Sequence, residues 1–146
     1  MPAAGFLDRA AEVPRMSDSG LITVQSAHDF PTTLERLVGA LEQKGMTIFA
    51  RIDHAAGAAS VGLALRPTTL VVFGNPAAGT PLMQAAQTAG IDLPLKALVW
   101  QDANGTVKLT YNDPPWIAAR HELSAAAQAV TAMSAALASF TRQATA

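Results

Sequence analysis

The feature that most constrains the fold is a junction at residues 73–83, where a strand-like run stops and a helical pattern begins. Thr68 to Phe73 becomes apolar on both faces, which predicts a central strand covered on each side. Two glycines and two prolines follow within residues 74–81. Because a residue before proline avoids the helical region, we expect the main helix to start at Thr80/Pro81 and to close at Gly90. Residues 74–79 are then predicted to form a loop or a single capped turn.

The chain before this junction predicts two strands and two helices. A β-branched run at residues 21–25 predicts the first strand, and a second strand is predicted at residues 46–52. Between them, Asp29 can cap a helix that Gly45 ends. The small residues 55–62 predict a short helix or helical turn. The apolar stripe of the longer helix consists of Phe30, Leu34, Leu37, Val38 and Leu41.

The chain after the junction predicts a hairpin and two helices. Asn104-Gly105 lies between two strand-like runs, which is a strong hairpin signal. Asp113 or Pro115 opens a short helix. Residues 124–146 are predicted to form a C-terminal helix, and no charge interrupts residues 123–141. Its length invites a membrane interpretation, but the many polar residues favour an amphipathic helix on the core or on another subunit.

Together these elements predict a single α+β domain. The order is β-α-β-(short α)-β-α-β-β-α-α, which indicates a mixed or mainly antiparallel sheet with helices packed on it. We expect residues 1–19 to be a leader or flexible arm and residues 20–146 to be the domain. Charged residues among the first fifteen interrupt any signal-peptide core, so a cytoplasmic location is expected.

Composition and charge exclude several functional classes. A net charge of -1 is not the excess of positive charge that binding to a nucleic-acid backbone requires, so we expect no nucleic-acid partner. The chain has no cysteine, which excludes disulfides, thiol nucleophiles and thiolate metal sites. With 14% charged residues, apolar surface is left over for a partner subunit. We expect no cofactor and no membrane association.

Known catalytic motifs are incomplete in this sequence. Gly74-x4-Gly79-Thr80 resembles a phosphate loop, but Thr80 occupies the lysine position, and Pro76 and Pro81 each remove a backbone donor. Asp53-His54 and Arg120-His121-Glu122 could meet for acid/base work, yet no metal-ligand spacing accompanies them. No nucleophile motif surrounds Ser60 or Tyr111. Catalytic residues therefore stay unknown and no metal site is predicted.

Six short motifs, taken together in this order and spacing, resemble the domain-of-unknown-function 302 family from about Gly20 to His121. The resemblance implies a small, dimeric α+β domain and no known reaction, so no site residue is carried over from it. The motifs are Arg51-Ile52-Asp53-His54, Leu65-Arg66-Pro67-Thr68, Phe73-Gly74-Asn75-Pro76, Gly79-Thr80-Pro81-Leu82-Met83, Gly90-Ile91-Asp92-Leu93-Pro94-Leu95-Lys96 and Tyr111-Asn112-Asp113-Pro114.

Three functional hypotheses remain open. The first is a homodimeric domain that binds or senses a small molecule or an anion, because polar residues concentrate at turns around an apolar framework. Its predicted pocket contains Asp53, His54, Asn75, Thr80 and Asp113. The second is a small enzyme that uses a His/Asp acid-base pair, with His54 or His121 as the histidine. The third is a structural subunit that oligomerises through the C-terminal helix.

Overall fold

The computed structural model describes residues 19–146, so nearly all of the predicted leader lies outside the described residues. Within these residues, five strands and five α-helices follow one another in the predicted order, with two short 3-10 segments at Gln87–Asp92 and Ser124–Ala126. The strands are β1 (Leu21–Gln25), β2 (Thr47–Asp53), β3 (Thr68–Gly74), β4 (Leu95–Gln101) and β5 (Val107–Asn112). The helices are α1 (Phe30–Gln43), α2 (His54–Ser60), α3 (Pro76–Ala85), α4 (Pro114–His121) and α5 (Ala127–Thr145).

The strands form one antiparallel sheet in the order β1-β5-β4-β3-β2, which confirms the α+β prediction. Alternate residues of β3, β4 and β5 are buried against the helices, while the residues between them on the other face are half-buried. The core that α1, α4 and α5 build on this face includes Leu37, Leu41, Val71, Phe73, Val99, Leu109, Ile117, Leu137 and Phe140.

Helix α1 begins and packs as its sequence predicts. The Asp29 carboxylate accepts a hydrogen bond from the backbone N–H of Thr32 at 2.9 Å, and Pro31 lies in the first turn. Leu34, Leu37, Val38 and Leu41 are buried along one face. Capping and the apolar stripe therefore agree on where this helix begins and on which face it buries.

The prediction for the start of α3 was wrong. The helix begins at Pro76, with Asn75 as the N-cap, and Pro81 lies inside it. The side-chain oxygen of Asn75 accepts the N–H of Ala77 at 2.9 Å, and its carbonyl accepts the N–H groups of Ala78 and Gly79 at 2.9 and 3.0 Å. The hydrogen bonds of this closed first turn outweigh the steric cost of a helical conformation at Thr80, the residue before Pro81. The helix also ends at Ala85 rather than at Gly90, which belongs to the following 3-10 segment.

Helix α5 is built into the core of the domain. Val130, Met133, Leu137 and Phe140 are buried, and the rings of Phe140 and Phe73 meet edge to face with centroids 6.2 Å apart. In the described part of the chain, no helix combines the length and the apolarity that crossing a membrane requires. The stripe predicted for the C-terminal helix is therefore the face that packs on the protein's own core.

The end of α5 is tied to the region between β1 and α1. The N–H of Ala27 donates to the carbonyl of Thr145 at 2.8 Å, and Nε2 of His28 lies 2.7 Å from the carbonyl oxygen of Ala146. The Arg36 guanidinium donates to the carbonyls of Gln143 and Ala146 at 3.0 and 3.3 Å. Two segments more than a hundred residues apart in the chain thus fix each other's position.

Candidate functional site

The described residues form a cleft of about 700 Å³ beside the junction that follows β3. One wall comes from the end of β3 and the first turns of α3, a second from the 3-10 segment and the start of β4, and a third from α5. Met46 and Phe49 close the side next to β2. The α5 wall is a stripe of small and apolar residues at helical spacing: Ala129, Ala132, Met133 and Ala136.

The cleft has an uncharged and mostly apolar lining. Asn75 and Thr80 supply its polar side chains, and both are exposed. Gly74, Gly79 and Gly90 also line the cleft, and a Cβ on Gly79 would meet Leu93 at 3.7 Å. A cleft of this size and character suits an apolar small molecule that carries few hydrogen-bonding groups.

The first turn of α3 is not an open anion site. Pro76 has no N–H group, and the N–H groups of Ala77, Ala78 and Gly79 already donate to Asn75. An anion at this helix terminus would have to displace those bonds. The geometry therefore favours an apolar ligand over the anion that the glycines and threonine suggested.

The structure brings two of the five predicted site residues together. Asn75 and Thr80 line the cleft, whereas Asp53 and His54 lie at the opposite end of β2. Thr47 pairs with Gly74 beside the cleft and Asp53 pairs with Thr69, so six residue steps, about 20 Å, separate the two ends. Asp53 caps α2 through the N–H of Ala56 at 2.9 Å.

Asp113, the fifth predicted site residue, follows β5 and lies outside the cleft lining. It is the N-cap residue of α4, and only 7% of it is exposed. Burial raises the pKa of the Asp113 carboxyl above its ordinary value. Burial also raises the pKa of the neighbouring Tyr111 phenol, with the charge of Asp113 as a second cause.

A second cluster joins the 3-10 segment to the end of α4. The Nε2 atom of His121 lies 2.6 Å from Oδ2 of Asp92, and its Nδ1 atom lies 2.9 Å from Oγ1 of Thr88. The Arg120 guanidinium donates to both oxygens of Asp92 at 3.1 and 3.2 Å and lies over the Trp116 ring. The His121 side chain is 7% exposed. A hydroxyl, an imidazole and a carboxylate in line form the arrangement that activates nucleophiles.

This cluster does not include His54, so the two histidines considered for acid/base work are not neighbours. In the part of the chain with described coordinates, no group of three or more His, Asp or Glu side chains is arranged to hold a metal ion. Asp92 and His121 are 29 positions apart, and no spacing motif links them.

The alanine stripe of α5 can be recognised in the sequence, but the same pattern is equally typical of a helix that packs on a core.

A model of one protein family, described as "Domain of unknown function DUF302", matches residues 22–140. The chain belongs to the DUF302 family. A crystal structure titled "uncharacterized conserved protein DUF302 from Bacillus stearothermophilus" matches with a TM-score of 0.78 and 22% identity. The match covers 86% of this chain and 98% of that one. At this identity the likeness concerns the fold.

Curated relatives come from Brucella. The chain is 49% identical over 121 residues to "Fluoride-specific ion channel FluC 1" of Brucella suis biovar 1 and equally identical to "Fluoride-specific ion channel FluC 1" of Brucella abortus biovar 1. Each match covers 83% of this chain but 48% and 45% of those proteins. The DUF302 chain therefore spans about half the length of the curated relatives it matches.

Proposed function

We propose that this DUF302 domain binds a small, mainly apolar molecule in the cleft and acts as a homodimer. The observation that carries the proposal is a cleft of about 700 Å³ to which the described residues contribute no charged side chain. Pockets for small molecules commonly measure about 300–1,000 Å³ and combine apolar walls with a few polar groups. Asn75 and Thr80 are the polar groups of this cleft. They suit a ligand with a hydroxyl or carbonyl at one end of an apolar body.

A sensing role would connect this binding to the Brucella relatives. Those proteins are named as fluoride-specific ion channels, and about half of their length corresponds to this chain. We propose that the shared part responds to a small molecule and that its occupancy is passed to whatever the domain contacts. The uncharged cleft gives no reason to assign fluoride itself as the ligand.

Filling the cleft from α5 tests the proposal. Ala132→Phe puts a ring into the cleft from an exposed position, and Ala135→Phe adds the same ring on α5 outside the cleft lining. The uncharged fluorescent probe N-phenyl-1-naphthylamine is titrated into each protein. We expect saturable binding to the wild type, at least a tenfold loss in Ala132→Phe, and no change in Ala135→Phe. Equal binding by all three proteins would refute the cleft as the site.

The polar end of the cleft is tested with 1-naphthol, which adds a hydroxyl to the same kind of apolar body. Thr80→Val removes one hydroxyl partner in the cleft, and His54→Ala changes a residue at the other end of β2. A lost hydrogen bond of about 1 kcal/mol corresponds to roughly fivefold weaker binding. We expect that loss in Thr80→Val alone, measured by thermal shift and calorimetry. Equal loss in His54→Ala would contradict this orientation.

Acid/base chemistry at His121 is a second candidate function, because Thr88, His121 and Asp92 are aligned at 2.9 and 2.6 Å. A panel of activated esters would be screened with the wild type, His121→Gln and His54→Gln. The enzyme hypothesis expects turnover that His121→Gln abolishes and His54→Gln keeps. Turnover that survives in His121→Gln would exclude this cluster as its source.

The third hypothesis, a structural subunit that oligomerises through the C-terminal helix, is a weaker candidate. The apolar stripe of α5 is already buried within one protomer. Deleting residues 124–146 would therefore remove core side chains as well as any contact surface. Solution mass measured on surface variants of the intact chain is the sharper test of assembly.

A further inference from the structure

We infer that in the homodimer a short apolar segment of each protomer lies over the cleft of the other. This inference rests on the homodimer proposed above. The segment is residues 61–65, between α2 and β3, and is called the arm below; it is distinct from the leader or flexible arm predicted for residues 1–19. Its three large side chains are exposed by 70% (Val61), 66% (Leu63) and 48% (Leu65). The arm contains no charged residue.

Among the described residues, the arm and the helix before it are only loosely covered by the rest of the protomer, where α2 contacts β3. None of the seven residues of α2 is buried. Short isolated helices are marginal in water and gain most of their stability from a packed apolar face. Three exposed aliphatic side chains beside a helix without a buried residue form a surface that typically marks an interaction site.

The arm and the cleft lie at opposite ends of β2. Thr47 pairs with Gly74, which lines the cleft, and Asp53 at the other end leads directly into α2. About 20 Å of strand separates the two ends. The arm supplies no residue to the cleft of its own protomer.

A two-fold axis beside β2 brings the two surfaces together. β2 is an edge strand of the described sheet, paired with β3 on one side. Placing two β2 strands side by side about a two-fold axis runs them antiparallel, so the Asp53 end of one faces the Thr47 end of the other. Each arm then lies beside the partner's cleft, next to the exposed ring of Phe49.

A second copy fits this surface better than a different protein does. Arm and cleft lining are both uncharged, so their contact buries no unpaired charge. A stable interface covers about 800 Å² of each partner, more than three aliphatic side chains offer, so the pairing has to use the cleft of the same protomer as well. A two-fold pair uses both surfaces on both chains. A ligand in the cleft would then be enclosed by two protomers.

Cross-linking tests this geometry directly, because the chain has no native cysteine. The double variant Leu63→Cys/Thr80→Cys is treated with a short bismaleimide linker at low protein concentration. We expect a covalent dimer from the double variant and little from either single variant. Leu63→Cys/Ala119→Cys is the matched control, since Ala119 is exposed on α4, which follows β5, and β4 and β3 lie between β5 and β2 in the sheet. Equal cross-linking of the control pair, or none in the test pair, would overturn the inference.

Measurements of mass in solution distinguish a failure of this inference from a failure of the homodimer proposal. We expect Leu63→Glu to raise the dimer dissociation constant at least tenfold. Ile91→Glu, at a position that is 73% exposed outside the cleft lining, should leave it unchanged. A wild-type dimer that Leu63→Glu leaves intact would refute the arm while keeping the homodimer. A monomeric wild type would refute both, and probe binding to the cleft would still be measured independently.

Discussion

Nε2 of His121 lies 2.6 Å from Oδ2 of Asp92, which fastens the 3-10 segment that walls the cleft to the last turn of α4. Asp92→Ala leaves the shielded imidazole without this partner. We expect the free energy of unfolding to fall by about 1–3 kcal/mol. Arg120→Ala should cost less than about 1 kcal/mol, because the Arg120 side chain is 51% exposed. Urea denaturation measures both, and equal losses would show that the histidine bond is not the stronger link.

The observed start of α3 makes Asn75 a capping residue. Asn75→Ala removes the acceptor for the N–H of Ala77 and should lower the free energy of unfolding by about 1 kcal/mol. Asn75→Asp keeps that acceptor and should stay close to the wild type. Thermal unfolding of the three proteins checks the order. A helix that began at Thr80 would make both variants neutral.

Gly20 is held close to Trp116 in a conformation that favours glycine. Its φ is +75°, and an added Cβ would lie 2.3 Å from the indole ring. We expect Gly20→Ala to lower stability by about 2 kcal/mol or more, because strain and overpacking add. Gly45→Ala is the matched control, with φ +73° and open space around the Cβ. Similar losses in the two variants would mean that the indole ring moves aside at little cost.

Replacing Asp113 and Asp102 by asparagine should change the stability of the protein at neutral pH in opposite directions. Burial raises the pKa of Asp113 in the folded state, so its contribution to stability is present in acid and is lost as the pH rises from about 3.9 through the raised value. Asp113→Asn should therefore gain stability relative to the wild type at pH 7, and this gain should disappear near pH 3.

The backbone hydrogen bond from Thr106 is the main cause that lowers the pKa of Asp102. The stabilisation from Asp102 is present at neutral pH and is lost in acid. Asp102→Asn should thus lose stability at pH 7 and approach the wild type near pH 3. Denaturant titrations from pH 3 to 7 compare the two variants, and a common sign for both would contradict the argument.

Local signals in the sequence predicted much of the fold. Asp29 with Pro31 fixed the start of α1, and Asn104-Gly105 marked the hairpin, where Gly105 has a φ of +83°. The start of α3 was missed because two prolines competed as helix starts. The rule for the residue before proline favoured the second, while the cap that Asn75 forms is visible only once the turn is built.

The candidate site depended more on long-range pairing than on local pattern. Asn75 and Thr80 line the same cleft because both belong to the junction. His54 and Asp53 were grouped with them as residues at turns, but the antiparallel register carries them to the far end of β2. The contact between Asp92 and His121 depends on how α4 meets the 3-10 segment, which no short motif encodes.

The pairing of β1 with β5 has a consequence for the order in which the chain folds during synthesis. β2, β3, β4 and β5 pair in sequence order, so each strand finds its neighbour soon after it is made. β1 is made first but pairs with residues 108–112, and α5, which supplies much of the core, follows later still. Closing such a long loop before its contacts form is unfavourable, so we expect the first strand to join the sheet last.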